Sequence, residues 1–482
     1  MAKTLRNTEY NVTFTDISSE GFGVCRAPDG RALFAFGGLT GEEARVKVIK
    51  EYKNYLIGKV EEIYVSSPHR IESDCGVFPR CGGCAFRHLD YSAELEHKRH
   101  LVESLFKRNA GISVKVHTPL RGKEWGYRNK LLLPVAEKDG RLYCGFYAPH
   151  SHRVVPCEDC KLHAKDFSLI TEALLAALQG NSAYNEETGK GLLRHIYLRR
   201  TRAGDFGVCL IINGNTLNGV EDIADSLMAA FPRVKSFYLN VNKERTNTVT
   251  GKQWHLVRGE ATLTDTICGK SFILSPASFF QVNGEMTDVL YNTAASLADI
   301  GEGDTVFDLY CGVGTVGLCI CPENARLCGV EIVPEAIENA RHNAILNGRT
   351  EENARFFCGD ASEGFEKCKE AFGKDPDVVL VDPPRSGISE SLVEKLSEVS
   401  PKRIVYISCN PATLARDVAR FAEKGYTCGD VYTVDMFPRT VHVESVVCLS
   451  REKADDYIRI SVQTKDLKRK ETVCQEVNED EK

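Results

Sequence analysis

Three stretches in the last quarter of the chain carry residues able to do covalent chemistry together. Cys409 stands in Ser408-Cys409-Asn410-Pro411-Ala412-Thr413, directly after the apolar run RIVYI. Pro411 suits the first position of a helix, whose amino end is expected to depress the Cys409 thiol pKa. Asp382, in VDPPRSG, follows the apolar run VVLV, and the paired prolines stiffen the backbone that carries it. Glu444, in RTVHVESVV, is expected on a late strand running beside the Cys409 strand. A soft thiolate adds to an electron-poor carbon, and a nearby carboxylate removes a proton.

A nucleotide site precedes them. Phe307-Asp308-Leu309-Tyr310-Cys311-Gly312-Val313-Gly314-Thr315-Val316-Gly317 reads as a strand, a Gly-rich turn and a helix start. Gly312, Gly314 and Gly317 satisfy G-x-G-x-x-G, a pattern shared with dinucleotide sites. Asp308, placed ahead of the glycines, would repel a pyrophosphate but suits a cationic, aminoacyl-bearing ligand. That favours S-adenosylmethionine over NAD. Glu331, closing LCGVE, is placed to accept hydrogen bonds from ribose hydroxyls, and Asp360, read as ending the strand FFCGD, to meet the adenine amino group.

Thiolate, carboxylate and methyl donor together point to carbon 5 of uracil, itself a poor nucleophile. Addition of Cys409 at carbon 6 makes an enolate whose carbon 5 attacks a sulfonium methyl, after which Glu444 takes the carbon-5 proton. His442 is the rival base. The target base must leave its stack, with Phe279 as a support for it and Arg128 and Lys130 as phosphate contacts.

A separate cluster, Cys75-x5-Cys81-Gly82-Gly83-Cys84, has a fourth thiol available at Cys157 or Cys160. Four thiolates in a reducing compartment mean zinc or an iron–sulfur cluster. The first gap of five residues argues against radical S-adenosylmethionine chemistry, so a structural or RNA-positioning role is expected.

The elements that must position these groups follow from the patterning. With 43% hydrophobic and 27% charged residues, the 482-residue chain has material for several cores. No window approaches the roughly 18 apolar residues of a membrane span, and the amino terminus has no apolar signal region. A cytoplasmic monomer is expected, and the remaining cysteines (Cys209, Cys319, Cys321, Cys328, Cys358 and Cys448 among 19) are read as small core residues rather than a disulfide framework. The net charge of −6 neither advertises nor forbids RNA binding.

Short strands with Gly-rich turns over residues 1–66 indicate a small β-barrel. A helix follows over 91–109. Residues 67–270 are mostly strand-like, with helices near 163–179 and 219–230. From 271 to 450, strands and helices alternate, which predicts an α/β, doubly wound parallel sheet. Residues 451–482 are a charged tail whose DYIRISV is suited to an edge strand.

DLYCGVG, VDPPRSG, SCNPATLARD and DMFPRTVHVE, in this order, resemble the RNA (uracil-5-)-methyltransferase family. C-x5-CGGC resembles its branch that carries a [4Fe-4S] cluster and acts on 23S rRNA; a tRNA uridine at position 54 is the alternative target. The resemblance spans about residues 8–450. It implies a Rossmann-like class I methyltransferase domain, an OB-like TRAM barrel that binds RNA, and a helix 91–109 packed on the methyltransferase domain. It implies Cys75, Cys81, Cys84 and Cys160 as cluster ligands, and Gln281, Tyr310, Thr315, Glu331, Asp360 and Asp382 as cofactor contacts. Nucleophile and base fall again on Cys409 and Glu444. Thr315 and Asp360 both stand where relatives often carry Asn.

Overall fold

The computed structural model describes residues 5–451. The expected edge strand in the tail lies outside the described residues.

The amino-terminal region forms a six-stranded sheet from Glu9–Thr13 to Tyr55–Val65. Its strands alternate inward apolar with outward polar residues, so Phe14, Leu33, Val46 and Leu56 fill one small core. A central seven-stranded sheet runs from Lys130–Lys138 to Gln253–Gly259, with one face covered by the helices Lys165–Leu178 and Val220–Ala230.

The third sheet positions the chemistry. Five parallel strands lie in the order Ala354–Cys358, Arg326–Glu331, Thr305–Asp308, Val378–Val381, Arg403–Ser408. The antiparallel strand Glu444–Ser450 then joins the edge of Arg403–Ser408, with Ser408 opposite Ser445. The inner parallel strands are short, wholly or nearly buried apolar runs because helices cover both faces, while the edge strand Ala354–Cys358 leaves Cys358 exposed. The strand order reverses between Thr305–Asp308 and Val378–Val381, and ligands of such sheets bind at that switch point.

The helix after the CGGC motif covers Tyr91–Leu105 and continues through a π-turn, Phe106–Ala110. Asp90 caps it, accepting from Ser92 N at 2.9 Å and Ala93 N at 3.2 Å. Its Val102 and Phe106 sink into one core of the parallel sheet. Val116 and Leu120 extend the attachment by bridging Val431 and Val434.

One expectation fails in this region. Cys328, read as an isolated core thiol, is joined by a disulfide to Cys368, tying the strand Arg326–Glu331 to the helix Ala361–Phe372. The two residues are 40 positions apart, and only the packing of helix on sheet brings them together. Among the described residues no helix is long and apolar enough to cross a membrane.

Candidate active site

Cys409, Asp382 and Glu444 converge at the carboxyl ends of neighbouring strands. Cys409 follows Arg403–Ser408, Asp382 follows Val378–Val381, and Glu444 opens the antiparallel strand between Arg403–Ser408 and Tyr432–Val434. Their charges act on one another. Burial pushes the Glu444 carboxyl up to about 8, with the charge of Asp382 adding to it and Arg385 opposing. Burial alone pushes Asp382 up to about 7.

The Cys409 thiol is also raised, first by burial and then by the charges of Glu444 and Asp382, against Arg385. This corrects the expectation of a thiol depressed by the helix. Pro411 does occupy the first turn, but Asn410 is the cap, its side chain accepting from Ala412 N at 3.1 Å. Cys409 lies one residue outside, where burial and two carboxylates outweigh the helix end. His442 is pushed down to about 4 by burial and by Arg385, Lys98 and Arg128, which makes it a far weaker base than Glu444.

The remainder of SCNPATLARD holds the pocket closed. Arg385 O accepts from Asn410 Nδ2 at 2.9 Å and from Thr413 Oγ1 at 3.2 Å, and Ser386 O from the Arg416 guanidinium at 2.8 Å. Asp417, fully buried, accepts from Ile388 N at 3.0 Å and the Tyr406 hydroxyl at 2.8 Å. Gly387 has φ +77°, and a Cβ there would collide with the Asp417 carboxylate. The loop bearing Asp382 and Arg385 is thereby fixed against the Cys409 corner.

The other half of the crevice is built for holding. Gly312 (φ 55°) and Gly314 (φ 86°) adopt left-handed backbone, and Gly314 caps the helix Thr315–Ile320. Glu331 Oε2 accepts from Gly312 N at 3.2 Å and Oε1 from Val333 N at 3.0 Å, so its carboxylate stands at the mouth of the turn. A Cβ on Gly312 would meet nothing within 4 Å, which leaves the turn open to a ligand. Tyr310 is raised to about 12 by burial, with the charges of Asp360 and Asp417 adding, which places its hydroxyl near both. Thr315 Oγ1 lies 3.3 Å from the hydroxyl of the buried Tyr291. Gln281, half-buried, accepts from Asn129 Nδ2 through its carbonyl at 2.9 Å.

Two cofactor readings need correction. Asp308 does not face a ligand: it is fully buried, and its Oδ2 accepts from Gly317 N at 2.8 Å. It braces the turn, and burial pushes it up to about 7. Asp360 does not end a strand: it caps the helix Ala361–Phe372 with an acceptor bond from Ser362 N at 2.9 Å.

Of the suggested RNA contacts, Phe279 is 74% exposed beside Gln281. The Arg128 guanidinium lies 5.8 Å from the Phe437 ring, and its charge reaches His442. Lys130 is instead tucked over the Tyr197 ring at 5.3 Å, and burial pushes it down to about 8. Sequence reasoning passed over Arg385, whose cue was its place in VDPPRSG, and Ile332, 67% exposed directly after Glu331 at the mouth of the crevice.

The thiols of Cys75, Cys81, Cys84 and Cys160 lie within electrostatic reach of one another around the CGGC turn. Cys157 hydrogen-bonds Cys160, which together with His163 holds the Cys160 thiol down. The donor chemistry therefore fits a thiolate-bound group. Among the described residues, however, no set of three or more His, Cys, Asp or Glu side chains is drawn together tightly enough to hold a metal ion.

The doubly wound sheet, the glycine turn and the acidic residue closing its second strand define a class I methyltransferase fold that binds S-adenosylmethionine. The sequence matches the profile for tRNA (Uracil-5-)-methyltransferase over residues 90–452 and that for the TRAM domain over residues 3–60. The chain belongs to this uracil-5 RNA methyltransferase family and carries a TRAM domain at its amino terminus. An uncharacterized RNA methyltransferase of Oceanobacillus iheyensis is 41% identical over 463 residues, 93% of this chain and 99% of the relative. Another, from Halalkalibacterium halodurans, is 40% identical over 449 residues, 92% and 97% of the two chains. The solved Pyrococcus abyssi tRNA (uracil-54, C5)-methyltransferase, in complex with S-adenosyl-L-homocysteine, matches with TM-score 0.72 at 26% identity, covering 91% of this chain and 99% of that one.

Proposed function

We propose that this protein methylates carbon 5 of a specific uridine in 23S rRNA, with Cys409 as covalent nucleophile and Glu444 as base. The observation that carries the reading is that Cys409, Glu444 and Asp382 stand together at the crevice end of the sheet, where the charges of Glu444 and Asp382 act on the Cys409 thiol and Arg385 opposes them. Once deprotonated, the Cys409 sulfur bonds to carbon 6, and the displaced electron pair moves to the oxygen on carbon 4. S-adenosylmethionine, when bound, supplies an electrophilic methyl for carbon 5. Glu444 then takes the carbon-5 proton, the ring double bond reforms, and Cys409 leaves as thiolate. Raised basicity at Glu444 suits that last step.

Glu331, Asp360, Gln281, Tyr310, Thr315 and Asp382 would hold the cofactor. Phe279 would stack on the displaced base, and Arg128 would meet the RNA backbone. Cys75, Cys81, Cys84 and Cys160 would hold a [4Fe-4S] cluster that cross-links the loop without entering the reaction. Anaerobically purified protein is then brown, with broad absorbance near about 400 nm; colourless protein with stoichiometric zinc rejects the cluster.

The target in 23S rRNA rests on the C-x5-CGGC motif. The archaeal match over 91% of the chain favours a second reading, a tRNA uridine at position 54. Mapping 5-methyluridine in both RNAs from a deletion strain decides between them, since only the true target loses its methyl group.

A further inference from the structure

Glu444 is reached through residues 435–443, and this loop is gripped at one residue, Arg439. Arg439 is buried and adopts φ 72°, a left-handed conformation that a branched-out side chain tolerates only when its surroundings enforce it. Its backbone carbonyl accepts from Ala85 N at 2.9 Å and Phe86 N at 3.1 Å, immediately after Cys84. Its guanidinium returns to the same segment, donating to Leu89 O at 2.6 Å and Phe86 O at 3.3 Å, and pairs with Glu124. Its backbone N–H donates to Glu94 Oε1 at 2.8 Å.

Glu94 also pairs at 2.7 Å with the fully buried Lys98, which bonds Asp435 at 2.8 Å at the start of the same loop. The barrel closes the junction. Ile17 and Leu39 pack with Phe86 and Leu89, and the turn at Gly21 has no room for a Cβ because Ala85, Phe86 and Val441 close on it.

The TRAM barrel, the end of the cysteine loop with the helix Tyr91–Leu105 that follows it, and the loop bearing Glu444 therefore meet five residues before Glu444. The geometry points to Arg439 as a positioning residue, which sets the Glu444 carboxylate against the carbon-5 proton by tying its loop to the cysteine loop and the barrel. This inference rests on Glu444 being the base. It goes further in making proton removal, rather than cofactor binding or thiol addition, the step that the junction controls.

The test separates the steps on the full chain. Three quantities are read: S-adenosylhomocysteine affinity by calorimetry, covalent adduct with 5-fluorouridine RNA, which forms without proton removal, and tritium release from carbon-5-labelled uridine RNA. Arg439→Lys and Arg439→Ala are expected to keep affinity within about twofold and to keep the adduct. Tritium release falls about 10–100-fold, the usual cost of a small misplacement of a reacting group, and covalent complex accumulates on unmodified RNA. Release at the parental rate overturns the inference, as do equal losses in all three readouts with a lowered unfolding temperature. Glu124→Gln, which removes one partner and leaves the backbone bonds, gives a smaller change of the same kind should the Ala variant fail to fold. Glu444→Gln run in parallel keeps the two readings apart: parental tritium release by that variant rejects the base itself, whatever Arg439 does.

Discussion

The two halves of the crevice use carboxylates in opposite ways. On the side of Thr305–Asp308, Arg326–Glu331 and Ala354–Cys358, the carboxylates at the mouth of the crevice, Glu331 and Asp360, are half-buried or exposed and already engaged with backbone N–H groups, while the fully buried Asp308 braces the glycine turn from within. On the side of Val378–Val381, Arg403–Ser408 and Glu444–Ser450, Asp382 and Glu444 are desolvated and pushed up to about 7 and about 8. Backbone N–H groups orient a carboxylate as a hydrogen-bond acceptor, which suits holding a ligand. Desolvation without such donors leaves a group poised to exchange a proton, which suits chemistry. One sheet provides both environments because its glycine turn presents amide groups and its strand Glu444–Ser450 does not.

The sharpest test of that division is Cys409→Ala. Turnover and adduct with 5-fluorouridine RNA are expected to vanish, a loss on the order of 1,000-fold or more for a covalent nucleophile, while S-adenosylhomocysteine still binds. Adduct formation by this variant would break the comparison at its centre. Glu444→Gln comes next: tritium release falls about 100- to 10,000-fold, the range for a general base, with the adduct preserved.

Glu331→Ala reverses the pattern. Cofactor affinity weakens about 10- to 100-fold, matching one or two hydrogen bonds to a charged group, and the rate at saturating cofactor changes little. A large drop in that rate would mean the holding side also does chemistry. The smallest effect is in pH. The active forms, Glu444 carboxylate and Cys409 thiolate, are both the deprotonated ones, and both groups are raised. Single-turnover rate therefore climbs as pH rises through about 8. Arg385→Ala removes the opposing cation and moves that climb to higher pH; an unchanged or acid-shifted profile contradicts the assigned electrostatics.

The parallel sheet was legible because each of its strands is a short apolar run with a motif residue at or just beyond its end and a periodic helix after it. The helix Glu390–Val399 falls where the pattern places it, and Pro411 opens its helix as expected. The errors share one cause, the direction in which a residue meets its surroundings. Asp308 faces inward to Gly317, Asp360 turns to a helix end, and Cys328 meets Cys368. Local pattern gives the position of a side chain along the chain, not which neighbour satisfies it.

Sequence alone determined the class of fold and placed the candidates Cys409 and Glu444 at the crevice end of the sheet, because residue types and their order along the chain are local properties. Only tertiary structure decided their state. The thiol is raised rather than lowered because burial and two carboxylates from other strands surround it. The loop that carries Glu444 is gripped at Arg439 by segments more than 300 residues away, whose contacts exist only once the chain has folded.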